Sequence, residues 1–250
     1  MKATELIRAV LPVTRSRAFT PGRVGATVEC CGNDVGMIDH LVYASNDLPA
    51  ASAVIAERLG VKPTPGGSHV GKGTCNELLS LGGATYLEVI GPDPSQPAPD
   101  GPRAFGVDDL DEPVLVAWCV RPSRPLTAIV SEARAAGIEL GDVASMSRRR
   151  PDGVLLQWQL TYPQLGGQFG GALPFMIDWG DSAHPTDTLP VAVDLVRLDV
   201  FHPEPERLRA ALEIIGIASD ASSGVTVHDA RRSQLRASIA TPRGEVTLTS

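Results

Sequence analysis

Aromatic residues make up only 4% of the 250 residues, and the four cysteines include no CxxC pair. Cys30, Cys31, Cys75 and Cys119 therefore exclude a zinc ribbon and a disulfide-stapled scaffold. They fit a reducing cytoplasm, with Cys75 and Cys119 as packing thiols. No run of 18 apolar residues occurs, so no membrane-spanning helix is expected. No Lys/Arg run interleaves with aromatics, and the net charge is −7 with a pI near 5.2, which argues against nucleic acid as a partner. The one basic run, Arg148, Arg149 and Arg150, is either a solvated turn or an anion contact at a site rim. What the chain does have is 43% hydrophobic residues, enough at this length to bury a core.

The first 36 residues start basic, but their apolar stretch from Leu6 to Val13 is broken by Arg8 and Pro12, a poor secretory signal. A disordered extension over 1–36 is expected, and Met37 is a second candidate start. From there the text alternates. IDHLVYA reads as a strand, and Asn46 or Asp47 can cap the helix that follows. Leu48, Ala51, Ile55 and Leu59 share one helical face, and Gly60 stops it. The Gly/Pro text PTPGGSHVGKGT reads as a loop, and NELLSLG and TYLEVIG as two strands joined at Gly-Gly. The plan returns with PVLVAWCV, a helix face of Leu126, Ile129, Val130 and Ala133, a stop at Gly137, a hairpin at Pro151-Asp152-Gly153 and the closing strand LPFMIDW. It returns again with LVRLDVF, a helix with Leu208, Leu212 and Ile215 inward, Gly216, and three more strands.

The helix-ending glycines Gly60, Gly137 and Gly216 fall 77 and 79 residues apart. This predicts an α+β chain of repeated βαβββ modules. Two modules, 37–92 and 112–180, would pair into an open barrel within a domain spanning 37–180. A linker over 181–190 would lead to a third βαβββ-like unit, 191–250. Gly66, Gly71 and Lys72 mimic the start of a phosphate loop, but Gly73 takes the hydroxyl position, so that reading fails.

The segments IDHLVYASNDL, GGSHVGKGTCNELLSLGGATYLEVIGPDP, RPDGVLLQWQL and LPFMIDWGDSAHP resemble the vicinal oxygen chelate superfamily, and within it the glyoxalase-like domain group. The resemblance covers residues 37–190. It implies a divalent metal in the cavity, held by side chains of the first and last strands of each paired module. That places His40, Glu88 and Asp178 as ligands to Fe, Mn, Zn or Ni, with His69 completing the set or acting as the base. Asn76, Arg149, Trp158 and Trp179 are the candidate substrate-binding residues. The fourth ligand place is empty: His40 lies 20 residues before Gly60, and 20 before Gly137 is Ala117, which cannot ligate.

One imidazole and two carboxylates still suit a divalent metal with open positions for substrate. The expected function is a small-molecule enzyme performing lyase, isomerase or dioxygenase chemistry on an oxygen-bearing substrate. Ala117 keeps open a second reading, a metal-free protein that binds or sequesters a small molecule. The third unit would then serve structure or homodimer formation.

Overall fold

A computed structural model of the chain describes residues 36–162, 167–220 and 223–250. The extension expected over 1–36 lies, but for Gly36, outside the described residues. Strand β1 (Met37–Ala44) leads through an Asp47 cap, whose carboxylate accepts the Ala50 amide, into α1 (Leu48–Leu59). Gly60, at φ 75°, supplies the left-handed stop. Strands β2 (Thr64–His69), β3 (Thr74–Ser80) and β4 (Tyr86–Pro92) follow. The second module repeats the order with β5 (Val114–Arg121), α2 (Leu126–Ala135), β6 (Val143–Arg149), β7 (Leu155–Thr161) and β8 (Phe175–Asp178).

The eight strands run β1-β4-β3-β2-β6-β7-β8-β5 and close on themselves. The expected open barrel is thus closed at two seams. One is the long antiparallel β1–β5 pairing; the other is a short β2–β6 contact of Ser68 with Arg149 and His69 with Arg148. The second seam exists because the Gly-rich text expected to be a loop is strand β2. Gly67 has a φ of 133°, and a Cβ there would overlap the Arg149 carbonyl. Only glycine lets the two backbones approach this closely. Gly67→Ala should therefore open this seam and cost about 1–3 kcal/mol. Urea unfolding reads the loss, and faster amide exchange confined to β2 and β6 locates it; an unchanged midpoint would count against the seam.

The third unit has β9 (Asp194–His202), α3 (Pro205–Ile215), β10 (Val225–Asp229), β11 (Gln234–Thr241) and β12 (Gly244–Thr249). Its element order is that of a module, but its strand order is β10-β9-β11-β12. In the barrel modules the first strand pairs with the last; here β9 pairs with β10 and β11. This sheet packs on the outside of the barrel. Leu195 N–H donates to Leu81 O (2.7 Å) and Arg124 Nη2 to Ile214 O (2.7 Å). A continuous outer core runs from Leu41, Trp118 and the three helices to Leu198, Val200 and Ile239. A second cluster, including Val42, Ile90, Leu160 and Ile177, lines the barrel interior. No helix among the described residues is long and apolar enough to cross a membrane.

Candidate active site

Strand alternation decides which side chains face inward. On β3 and β4 the inward set includes Thr74, Asn76, Tyr86 and Glu88; on β6 and β7 it includes Met146, Arg148, Trp158 and Leu160. Together with His40, His69, Phe175, Ile177 and Trp179 they line a cavity of about 570 Å³. The segment Pro99–Phe105 completes the lining. Phe105 holds a φ of 61° there and sets its ring against Phe175.

Register relates the two modules. His40 pairs with Cys119 and Val42 with Ala117, the reciprocal pattern of a twofold in which His40 matches Ala117. In the parallel pairs Val42 sits beside Glu88, and Cys119 beside Phe175. Glu88 therefore corresponds to Phe175, not to Asp178. Asp178 is exposed on the outer face of β8, where its Oδ1 accepts Gly180 N–H (2.9 Å). It does not join the cavity. Arg149 is also exposed and directs Nη1 to Gly153 O (3.2 Å); the cavity arginine is its neighbour Arg148. His40, His69, Glu88, Asn76, Trp158 and Trp179 do converge. The first module supplies most of the polar wall; the second contributes the apolar Ala117, Met146, Leu160 and Phe175 together with one charged group, Arg148.

Asp39 is the residue that sequence reasoning missed. A register shift between Ile38 and His40 takes it out of the β1–β5 ladder. It is fully buried and accepts His40 Nδ1–H (2.7 Å), Trp179 Nε1–H (3.1 Å) and His184 Nε2–H (3.1 Å). His184 also caps the short 3-10 turn Pro185–Asp187, its Nδ1 accepting Thr186 N–H. Burial pushes the Asp39 pKa up, but the hydrogen bonds from His184 and His40 outweigh it and hold the group well below the usual carboxylate range.

With its Nδ1 proton committed to Asp39, His40 turns the lone pair of Nε2 to the cavity, 3.8 Å from Glu88 Oε2. His69 Nε2 stands 3.6 Å from Glu88 Oε1. Its Nδ1 bonds Thr74 Oγ1 (3.0 Å), and Asn76 Nδ2 lies 3.4 Å from its Nε2. Burial lowers the His69 pKa to about 4, so the ring is neutral near pH 7. Asn76 fixes the remaining geometry: its Nδ2 donates to Glu88 Oε1 (2.6 Å), and its Oδ1 accepts from Arg148 Nη1 (3.2 Å).

Two imidazole nitrogens and a carboxylate thus point lone pairs into one region, with each nitrogen within 4 Å of the carboxylate. The donor set suits Fe(II), Mn(II), Zn(II) or Ni(II), which bond N and O at about 2.0–2.2 Å. The residues' donor types fit a metal, but the three ligand atoms do not all lie within 4.8 Å of one another, so the side chains must draw together to hold one. A tighter triple, Asp39, His40 and Cys119, has ligand atoms within 4.8 Å of one another. Its carboxylate is already saturated by three donors, and burial raises the Cys119 thiol well above its usual pKa. Cys75 is likewise raised, to about 11, first by burial. Both are neutral packing thiols.

The sequence model of the glyoxalase-like domain family matches residues 38–216. The chain belongs to the glyoxalase-like domain family. Among solved structures, a hypothetical protein from Staphylococcus aureus is 15% identical, over 80% of this chain and 88% of that one, at a TM-score of 0.57. At that identity the likeness speaks for the fold. Methylmalonyl-CoA epimerase from Mycobacterium tuberculosis is similar at 20% identity over 56% of this chain and 85% of its own, with a TM-score of 0.35. A mutant of 4-hydroxymandelate synthase from Streptomyces coelicolor is similar at 14% identity over 87% and 63%, with a TM-score of 0.44. No curated protein matches the chain significantly.

Proposed function

We propose that this member of the glyoxalase-like family is an enzyme in which His40, His69 and Glu88 hold a divalent cation against a small oxygen-bearing substrate. The observation that carries this reading is Glu88 set between two imidazole nitrogens, 3.8 Å from His40 Nε2 and 3.6 Å from His69 Nε2, with His40 oriented from behind by Asp39. A carboxylate behind a ligating histidine is the usual support of such a ligand. A divalent cation supplies Lewis acidity toward a substrate oxygen. The chain's own part is to bind and orient. Trp158, Trp179 and Phe175 give the substrate an apolar wall, and Asn76 holds the Glu88 carboxylate in place. The chemistry this supports is of the lyase, isomerase or dioxygenase type.

Metal analysis and Mn(II) titration of the purified protein test the reading. Wild-type protein should take up one cation per chain. His40→Ala and Glu88→Gln should each weaken binding by at least about tenfold. Asp178→Asn should leave it unchanged, because that side chain faces solvent. Wild-type protein that cannot be loaded with Mn, Fe, Zn or Ni would sink it.

A second reading, a metal-free binding protein, is favoured by the second module, where Ala117 and Phe175 occupy the positions that correspond to His40 and Glu88. It predicts that an apolar ligand raises the melting temperature and that the four cations do not.

A further inference from the structure

Arg148 carries an unbalanced charge inside the barrel. It is 3% exposed, its Nη1 donates to the neutral Asn76 Oδ1, and its buried Nε has no partner. No carboxylate lies within ion-pair distance of it among the described residues, although every one of its N–H groups is a donor. Glu88 is held one amide side chain away and faces the two histidines. A buried guanidinium without a counter-ion is costly, and the cost persists unless something offsets it. The neighbouring strand repeats the theme: Trp158, which faces the cavity beside Arg148, has a buried Nε1–H without a partner. On the sheet the two residues are diagonal neighbours, since Arg148 pairs with Leu156 and Met146 with Trp158. Beyond them the wall is apolar, with Leu160, Phe175 and Ile177.

We infer that the cavity takes a small carboxylic acid with an apolar body, its carboxylate paired with Arg148. The inference rests on the cavity being the binding site proposed above, and it adds the class of molecule. Because Asn76 alone separates the guanidinium from Glu88, the acid is short: its carboxylate and the atoms facing His40 and Glu88 are only a few bonds apart. A cation on Glu88 would take up that carboxylate's charge and leave Arg148 still more in need of an anion.

Calorimetric titration with phenylacetate and hexanoate, each against its neutral amide, tests this. Measurements run in chelator and again with Mn(II). At least one acid should bind tenfold or more tightly than its amide under both conditions. Arg148→Gln should abolish that preference, and Arg148→Lys should keep part of it. Arg148→Met should fold, with a ligand-free melting temperature at or above that of the wild type, because it removes an uncompensated charge. A lower melting temperature would assign the guanidinium a structural role and overturn the proposal. Equal binding of acids and amides, or a preference that survives Arg148→Gln, overturns it as well. A preference seen only with Mn(II) and abolished by His40→Ala would make the acid a cation ligand; the proposal would then fail while the metal reading stands. A preference lost in Arg148→Gln in protein that takes no cation would leave the proposal standing and remove the metal reading.

Discussion

Asp39→Asn is expected to lower cation affinity by about 10–100-fold, although Asp39 never reaches the cavity's donor set. The reason lies in hydrogen-bond arithmetic. The carboxylate accepts from His40 on one oxygen and from Trp179 and His184 on the other. An amide of the same shape has one acceptor and one donor end. If its oxygen faces His40, its NH2 group confronts two N–H donors. If its oxygen faces Trp179 and His184, two bonds survive and its NH2 group faces His40 Nδ1. The second orientation leaves fewer clashes. It drives the His40 proton onto Nε2, so the nitrogen that faces Glu88 becomes a donor. Histidine 15N shifts would show the tautomer change, and Mn(II) titration the loss. Unchanged affinity with an unchanged tautomer would remove Asp39 from the site.

The same carboxylate carries stability. Asp39→Ala leaves three donors facing a void and should cost about 3–5 kcal/mol, the range for breaking a buried charged network. Its pH signature has a definite sign. A carboxyl group held below its ordinary pKa of about 3.9 contributes stability that is fully present above that value and is lost as pH falls toward the lower folded-state pKa. Wild-type stability should therefore erode below about pH 4, and the difference between wild type and Asp39→Ala should shrink over the same range. A constant difference down to pH 2 would show that the loss comes from packing instead.

How much of this was legible depended on whether position could be counted along one strand. The 77-residue spacing of Gly60 and Gly137 carried His40 onto Ala117, and the β1–β5 register bears that out. The same spacing fails at the last strand, because the β7–β8 connection is longer than the β3–β4 hairpin. Asp178 looked equivalent to Glu88 in the text, whereas Phe175 is its partner in space. Arg149 and Arg148 differ by one residue, which on a strand means opposite faces, and nothing in three consecutive arginines says which one turns inward. His69 was named as a candidate but could not be positioned, because the glycine-rich text around it reads as a flexible loop while its glycines serve a tight seam. Asp39 required a register shift to act with its neighbour His40, and a shift of that kind leaves no mark on composition or periodicity. The paired Asp-His in β1 is the one signal that could have suggested it. The apolar cores were readable throughout, since burial alone fixes them and α1, α2 and α3 each bury the face that the helical period assigns.

Trp118→Ala should be among the most damaging single changes outside the site, at about 3–5 kcal/mol, a large share of a typical domain's 5–15 kcal/mol. Trp118 is fully buried on the outer face of β5, between the inward residues Ala117 and Cys119. Its Nε1–H donates to Ala172 O (2.9 Å), holding the segment that precedes β8. That segment reaches the third sheet: Phe169 packs its ring on His202 and under the Arg207 guanidinium, and its carbonyl accepts Ser233 Oγ–H. Removing the indole therefore leaves a cavity at the joint between barrel and sheet, and strands a buried carbonyl. Trp118→Phe separates the two effects, because it keeps most of the volume and loses only the hydrogen bond, for about 1 kcal/mol beyond the packing change. Urea midpoints measure both, and Mn(II) affinity should stay at the wild-type value, since neither variant touches the inward face. A loss below about 1 kcal/mol for Trp118→Ala would mean that the third sheet is held to the barrel by its other contacts. An accompanying loss of cation affinity would mean that the two faces of β5 do not act independently.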